Sequence, residues 1–254
     1  MIIKTAEDKE SDIAILNELL SRSEVTADIK KRIEQEIKNI RAGLKGEREA
    51  AYEMEFTYGS SKYWMIIHDL RIECKGKVAQ IDHLVISRLM EVWVCESKHF
   101  SEGIAINEHG EFSAFYGSKP YGVPSPIEQN QKHIAVLESV FKTGMVKLPS
   151  RLGFTLKPSI NSLILVSKNA RISRPKSKVS GIDTIIKNDQ FKNKIDQLLD
   201  ADNNPLVLAK LISSETLEKF ARELAAIHRP IQIDWHAKFG MPRFEPTHQL
   251  IEHS

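Results

Sequence analysis

Three charged residues stand where two apolar runs leave little room for charge. VWVCESKHF (92–100) is hydrophobic as far as Cys95 and then sets Glu96 and Lys98 two residues apart. QIDHLVIS (80–87) carries Asp82 inside a second such run. Residues two apart on a strand share a face, so Val92, Val94, Glu96 and Lys98 line up together, as do Gln80, Asp82, Leu84 and Ile86. If the runs pair as a hairpin through residues 88–90, Asp82 and Glu96 lie about equally far from the turn. Two carboxylates and an ammonium then meet at one end of a sheet whose other rows are apolar.

Such a set suits a hard divalent cation, Mg²⁺ with Mn²⁺ as a substitute. Mg²⁺ takes oxygen ligands, keeps several waters, and is commonly held by one or two carboxylates plus substrate phosphate. Asp82 and Glu96 are the expected ligands, with a strand carbonyl such as that of Ser97 as a third donor. Lys98 would face the same phosphate and stabilise the charge that develops on it. Together these are the elements of phosphodiester hydrolysis. Glu-x-Lys also occurs on exposed strand ends where both charges are merely solvated, and spacing alone leaves that reading open.

The elements that must position these residues can be read from periodicity. Residues 12–44 read as a helix, with Ile29, Ile33, Ile37, Ile40 and Leu44 forming one apolar stripe. Gly43 and Gly46 mark an expected break, after which GEREAAYEMEF begins a second helix with Glu47 near its start. KYWMIIHDL and RIEC read as short strands before a turn at Lys75-Gly76-Lys77. GIAIN and EFSAFYG form a further small hairpin around Glu108-His109-Gly110. Ser125, Pro126 and Glu128 mark a helix start. INSLILVS and IDTIIKN read as strands before a short helix ending near Leu199, and a last helix follows Ser213-Ser214 until Pro230. The tail with Trp235, Phe239 and Phe244 shows no clear period. This order predicts an α/β fold, with helical extensions over 1–43 and 201–254 around a domain at 44–200.

Composition narrows the classes. A net charge of +2 over 254 residues means that affinity for an anionic partner must come from local clusters. Cys74 and Cys95 are too few for a disulfide framework and lack metal-site spacing, so reduced buried thiols are expected. No apolar run approaches the roughly 18 residues of a membrane span, and the start MIIKTAEDKE turns acidic without signal-peptide character. A cytoplasmic protein without a membrane partner is the expectation. His68, His109 and His133 form no zinc-spaced set with the cysteines, and His83 and His99 face away from the charged trio by strand alternation.

GEREAA, QIDHLVIS, VWVCESKHFSEGI and PIEQNQKHIAVL, in that order, resemble the nuclease-related domain (NERD) family, a branch of the PD-(D/E)XK restriction-endonuclease-like nucleases. The resemblance spans residues 43–145 and implies a central mixed sheet flanked by helices, with metal-dependent cleavage of nucleic acid. By position, it implies that Asp82 is the metal-binding aspartate, that Gln80 stands beside it in the QID signature, and that Glu96 and Lys98 are the E-x-K half-motif. Glu47 matches the acid that completes the site, and Gln129 a polar position lining it. Ile81, not the proline of the PD-(D/E)XK pattern, precedes Asp82. The same fold includes members that bind without cutting.

SKNARISRPKSK (167–178) carries Lys168, Arg171, Arg174, Lys176 and Lys178 without an acid and reads as a loop near a sheet edge. Such a loop can neutralise phosphates and release counterions, giving sequence-independent affinity. The helix over 25–44 has mixed charge and suits packing or homo-oligomerisation better than DNA reading. The leading expectation is a Mg²⁺-dependent nuclease acting on DNA ahead of RNA. A non-catalytic nucleic-acid-binding module and an assembly protein with a structural charge network remain as alternatives.

Overall fold

The computed structural model describes residues 1–100, 102–117, 119–151, 153–201 and 210–242. In chain order the elements are β1 (Ile2–Lys4), α1 (Glu10–Ser21), α2 (Ala27–Tyr58), β2 (Trp64–Cys74), β3 (Lys77–Ser87) and β4 (Glu91–Lys98). There follow β5 (Gly103–Ile106), β6 (Phe112–Tyr116), β7 (Lys119–Val123), α3 (Pro126–Thr143), the short pair β8 (Ser150–Arg151) and β9 (Phe154–Thr155), and β10 (Ser159–Val166). The described chain closes with β11 (Arg171–Ser173), β12 (Ile185–Lys187), α4 (Phe191–Ala201), α5 (Ser214–Ala226) and α6 (Trp235–Phe239).

The central sheet is mixed and has six strands in the order β1-β2-β3-β4-β10-β12. β2, β3 and β4 form an antiparallel meander, and β10 then runs parallel to both β4 and β12. β4 therefore has a neighbour on each side and its first six residues are buried. One face packs Leu84, Ile86, Val92 and Val94 against Leu137 and Val140 of α3 and Phe220 and Leu224 of α5. The other packs Val85, Trp93 and Cys95 against Ala50 and Met54 of α2 and Phe191 and Ile195 of α4. A strand covered on both faces reads as a continuous apolar run, which is why VWVC lacks alternation.

The hairpins form as the turn residues predict. Lys75 and Gly76 both take positive φ (50° and 71°), as a two-residue hairpin turn demands. The β3–β4 ladder pairs His83 with Cys95 and Ile86 with Val92. Ser125 caps α3, its Oγ accepting the Glu128 N–H at 3.2 Å.

Three local expectations are corrected. The helix expected over 12–44 is interrupted at residues 22–26, where Thr26 Oγ1 accepts the Ile29 N–H at 3.4 Å and starts α2. The break expected at Gly43 and Gly46 does not occur, because α2 runs through both. Glycine costs only about 1 kcal/mol inside a helix, and a Cβ on Gly46 would lie 3.1 Å from the Cβ of His99, so the absence of a side chain lets α2 approach the end of β4. KYWMIIHDL and RIEC join in the single strand β2, with Asp69 at φ 51° taking up the irregularity. A feature not foreseen is the second sheet, in the order β11-β5-β6-β7.

The chain divides into two compact units. The larger comprises Met1–Glu7 and Ala42–Pro230 and holds both sheets. In the smaller, Trp235 Nε1 donates to Asp12 Oδ1 at 2.7 Å and Lys238 pairs with Glu36 at 3.0 Å. Asp234 caps α6, a helix in the segment for which the sequence shows no period. Phe244 lies outside the described residues.

Candidate active site

Glu96 is 2% exposed at the last buried position of β4. A buried carboxylate requires compensation, and three side chains surround it. Lys98 Nζ stands 2.7 Å from Glu96 Oε1, and the Gln129 amide donates to the same oxygen at 2.7 Å. Gln129 Oε1 in turn accepts from Lys98 at 3.1 Å, which closes a three-membered ring of contacts. Glu96 Oε2 and His133 Nδ1 face each other at 3.4 Å without hydrogen-bond geometry, and neither atom has a hydrogen-bond partner among the described residues.

Asp82 is held differently. The β3–β4 ladder stops at His83–Cys95, and the β2–β3 register steps from His68–His83 to Leu70–Ile81, so neither ladder pairs Asp82. Its carboxylate Oδ2 instead accepts the backbone N–H of Ser97 at 2.7 Å. Burial raises the Asp82 carboxyl well above the usual carboxylate range, and the negative charges of Glu96 and then Glu47 push it further. The Ser97 N–H and the Lys98 ammonium pull the other way without prevailing.

The structure thus brings together Glu47, Asp82, Glu96, Lys98 and Gln129. Gly46 seats α2 against His99, just past β4, and the Glu47 charge acts on Asp82 from there. Gln80 is exposed, and its amide turns to Asp69 Oδ1 at 3.3 Å. The five basic residues of 168–178 are all exposed, but they do not form one loop. β11 lies among them, and Arg174 donates to the Ile185 carbonyl at 2.6 Å. Lys168 and Lys178 line different pockets.

Sequence reasoning missed His133 and Asn130. His133 follows Gln129 at i+4 on α3, a spacing that was available as a signal. Asn130 is fully buried and donates to the Val94 carbonyl and to Ser162 Oγ, each at 2.8 Å, pinning α3 across β4 and β10. Behind the cluster, His68 and His83 share a 2.7 Å hydrogen bond between their Nδ1 atoms, and His83 Nε2 meets Ser97 Oγ at 2.9 Å. Both imidazoles are held below the usual histidine range, by burial first. Burial also pushes the Cys95 thiol up, leaving it an inert core group.

Among the described residues, no group of three or more His, Cys, Asp or Glu side chains is arranged to hold a metal ion. The pair Asp82 and Glu96 nevertheless has the chemistry of a hard-cation site. Both are oxygen donors, and one Glu96 oxygen lacks a hydrogen-bond partner among the described residues. Asp82 is raised by burial first and then by the Glu96 charge, which a divalent cation would offset.

A buried strand thus ends in Glu-x-Lys, beside an aspartate and under a helix that supplies glutamine. Residues 42–167 match the family model of the nuclease-related domain, and the chain carries a NERD domain there. Neither the curated proteins nor the solved structures contain a significant match to the chain. Among the described residues no helix is long and apolar enough to cross a membrane.

Proposed function

We propose that the protein is a metal-dependent nuclease that hydrolyses phosphodiester bonds, with DNA as the favoured substrate ahead of RNA. The observation that carries this reading is the burial of Glu96 at the end of a core strand with Lys98 and Gln129 on one of its oxygens. Burying a carboxylate costs several kcal/mol unless it is compensated, and nothing in the packing of β4 calls for one.

Asp82 and Glu96 are the proposed ligands of Mg²⁺ or Mn²⁺, with Glu47 as a nearby third carboxylate. A bound cation would neutralise charge on the scissile phosphate and make a bound water more acidic. Lys98 would leave Glu96 for a phosphate oxygen and offset the charge that develops there. Gln129 would keep hold of Glu96 Oε1 as the lysine moves, and the Ser97 N–H fixes Asp82. Exposed cations at Lys168, Arg171, Arg174, Lys176 and Lys178 would supply phosphate contacts. Buried free thiols at Cys74 and Cys95 are consistent with a cytoplasmic setting.

One observation favours a second reading. The ring of Lys98, Glu96 and Gln129 is closed on itself, as a structural network in a non-catalytic nucleic-acid binder would be. Cleavage of labelled DNA and RNA with Mg²⁺, with Mn²⁺ and with chelator separates the two. Metal-dependent cutting that is lost in Asp82→Ala and Lys98→Ala, with folding retained, supports the nuclease. Salt-sensitive binding without cutting under any metal supports the binder.

A further inference from the structure

One turn along α2 from Glu47 lies a pocket of about 290 Å³ lined by Arg48, Glu49, Tyr52, Glu53, Lys168 and Asn188. Two of its lining residues are next in the chain to residues at or beside the candidate active site. Arg48 directly follows Glu47, and Lys168 follows Ser167, whose Oγ meets His99 Nδ1 at 2.9 Å beside Lys98. Two features point to a ligand. Glu49 Oε2 and Asn188 Oδ1 are buried acceptors with no hydrogen-bond partner among the described residues, and Asn188 is 3% exposed. A buried acceptor left unpaired costs about 1–3 kcal/mol. Tyr52, which lines the pocket, is 64% exposed and stacks on Phe56, 79% exposed, with ring centroids 6.1 Å apart.

We propose that this pocket takes one unpaired nucleobase of the substrate strand, stacked on Tyr52, and so directs the protein to single-stranded or locally opened nucleic acid. The inference rests on the nuclease reading for its choice of ligand class. Two acidic lining residues, Glu49 and Glu53, offset the cations Arg48 and Lys168, so the pocket is a poor trap for a bare phosphate and a suitable seat for a neutral base. Two orphaned acceptors favour a base that offers more than one N–H donor, as guanine does at N1 and N2. Its volume is near the lower limit, about 300 Å³, of small-molecule sites, which suits one base rather than two. Aromatic stacking of this kind contributes roughly 1–3 kcal/mol per base and works only on an unpaired base.

The test is fluorescence anisotropy with the full chain in chelator, so that no probe is cut. The probes are a single-stranded oligo-dT, the same strand carrying one central dG, and a duplex. Expected are tighter binding of single strand than of duplex and a further gain from the dG. Tyr52→Ala should weaken single-strand binding about tenfold and leave duplex binding unchanged, and Glu49→Gln should remove the dG preference. Tyr52 is exposed, so its loss does not disturb the core. Equal affinity for duplex and single strand, an unchanged Tyr52→Ala, or no binding at all would overturn the proposal. So would self-association that Phe56→Ala abolishes while nucleotide binding is untouched, because the aromatic pair would then serve a second copy of the chain. Single-strand binding without metal-dependent cleavage keeps the pocket and removes the nuclease reading. Cleavage indifferent to Tyr52→Ala does the reverse.

Discussion

Ser97 donates its backbone N–H to Asp82 Oδ2 at 2.7 Å, so the residue between Glu96 and Lys98 also positions the carboxylate of the neighbouring strand. A single stretch of β4 thereby organises three charged groups. The Ser97 amide would otherwise be a half-buried donor at the place where the β3–β4 ladder ends.

That arrangement sets a pH dependence. Asp82 titrates above the usual carboxylate range in the folded protein, by burial first and then by Glu96 and Glu47. A carboxyl whose folded pKa is raised contributes stability below its unfolded value, and loses it as pH rises through the folded value. Asp82→Asn should therefore raise the melting temperature of the metal-free protein by a few degrees at neutral pH, with no gain in acid. Thermal unfolding in chelator across that range measures it, and an equal gain at every pH would remove the charge explanation. Adding Mg²⁺ should stabilise the wild type and not Asp82→Asn.

The buried histidines work in the opposite direction. His68 and His83 are depressed by burial, with Glu55 partly offsetting the effect at His68. Their stabilisation is complete above the unfolded value of 6.5 and is lost as pH falls through the lower folded values. Denaturant unfolding followed downward from above pH 6.5 should show this decline, and His68→Gln/His83→Gln should show a shallower one.

Gln129 bridges Glu96 and Lys98, so its loss leaves a buried carboxylate with one donor fewer. Gln129→Ala should cost about 1–3 kcal/mol of stability and lower cleavage at least tenfold. Chemical denaturation and single-turnover cleavage check the two effects. A fully active, fully stable variant would show the ring to be incidental.

Gly46 tests the approach of α2 to β4. Gly46→Leu would force its side chain against the Cβ and backbone N of His99, 3.1 and 3.2 Å from an ideal Cβ. Overpacking of this kind costs about 1–3 kcal/mol, and because it displaces Glu47 the cleavage rate should fall more than stability does. Gly46→Ala gains helix propensity of about 1 kcal/mol and should fall between the two in both measurements.

The sheet was largely legible in the sequence because its signals are local. Apolar runs, turn residues such as Lys75-Gly76, and strand alternation place Asp82 and Glu96 at matching distances from one hairpin. Local signals misjudged Gly46, since whether a glycine ends a helix or lets it pack closely depends on what lies against it, here His99. They also missed His133, whose relation to Glu96 arises only when α3 crosses β4. The second sheet escaped for the same reason: β11 pairs with β5 across 171–173 and 103–106, a contact no window of sequence contains.

Sequence alone determined that β4 ends in Glu96-Ser97-Lys98 and that a hairpin brings Asp82 alongside. Only the tertiary structure decided that Glu96 is buried, that Gln129 closes the ring with Lys98, and that Asp82 falls between two ladders and is raised by burial and then by its neighbours' charge. Burial and electrostatic coupling depend on distances between elements remote in the chain, and those distances exist only once the helices have packed on the sheet.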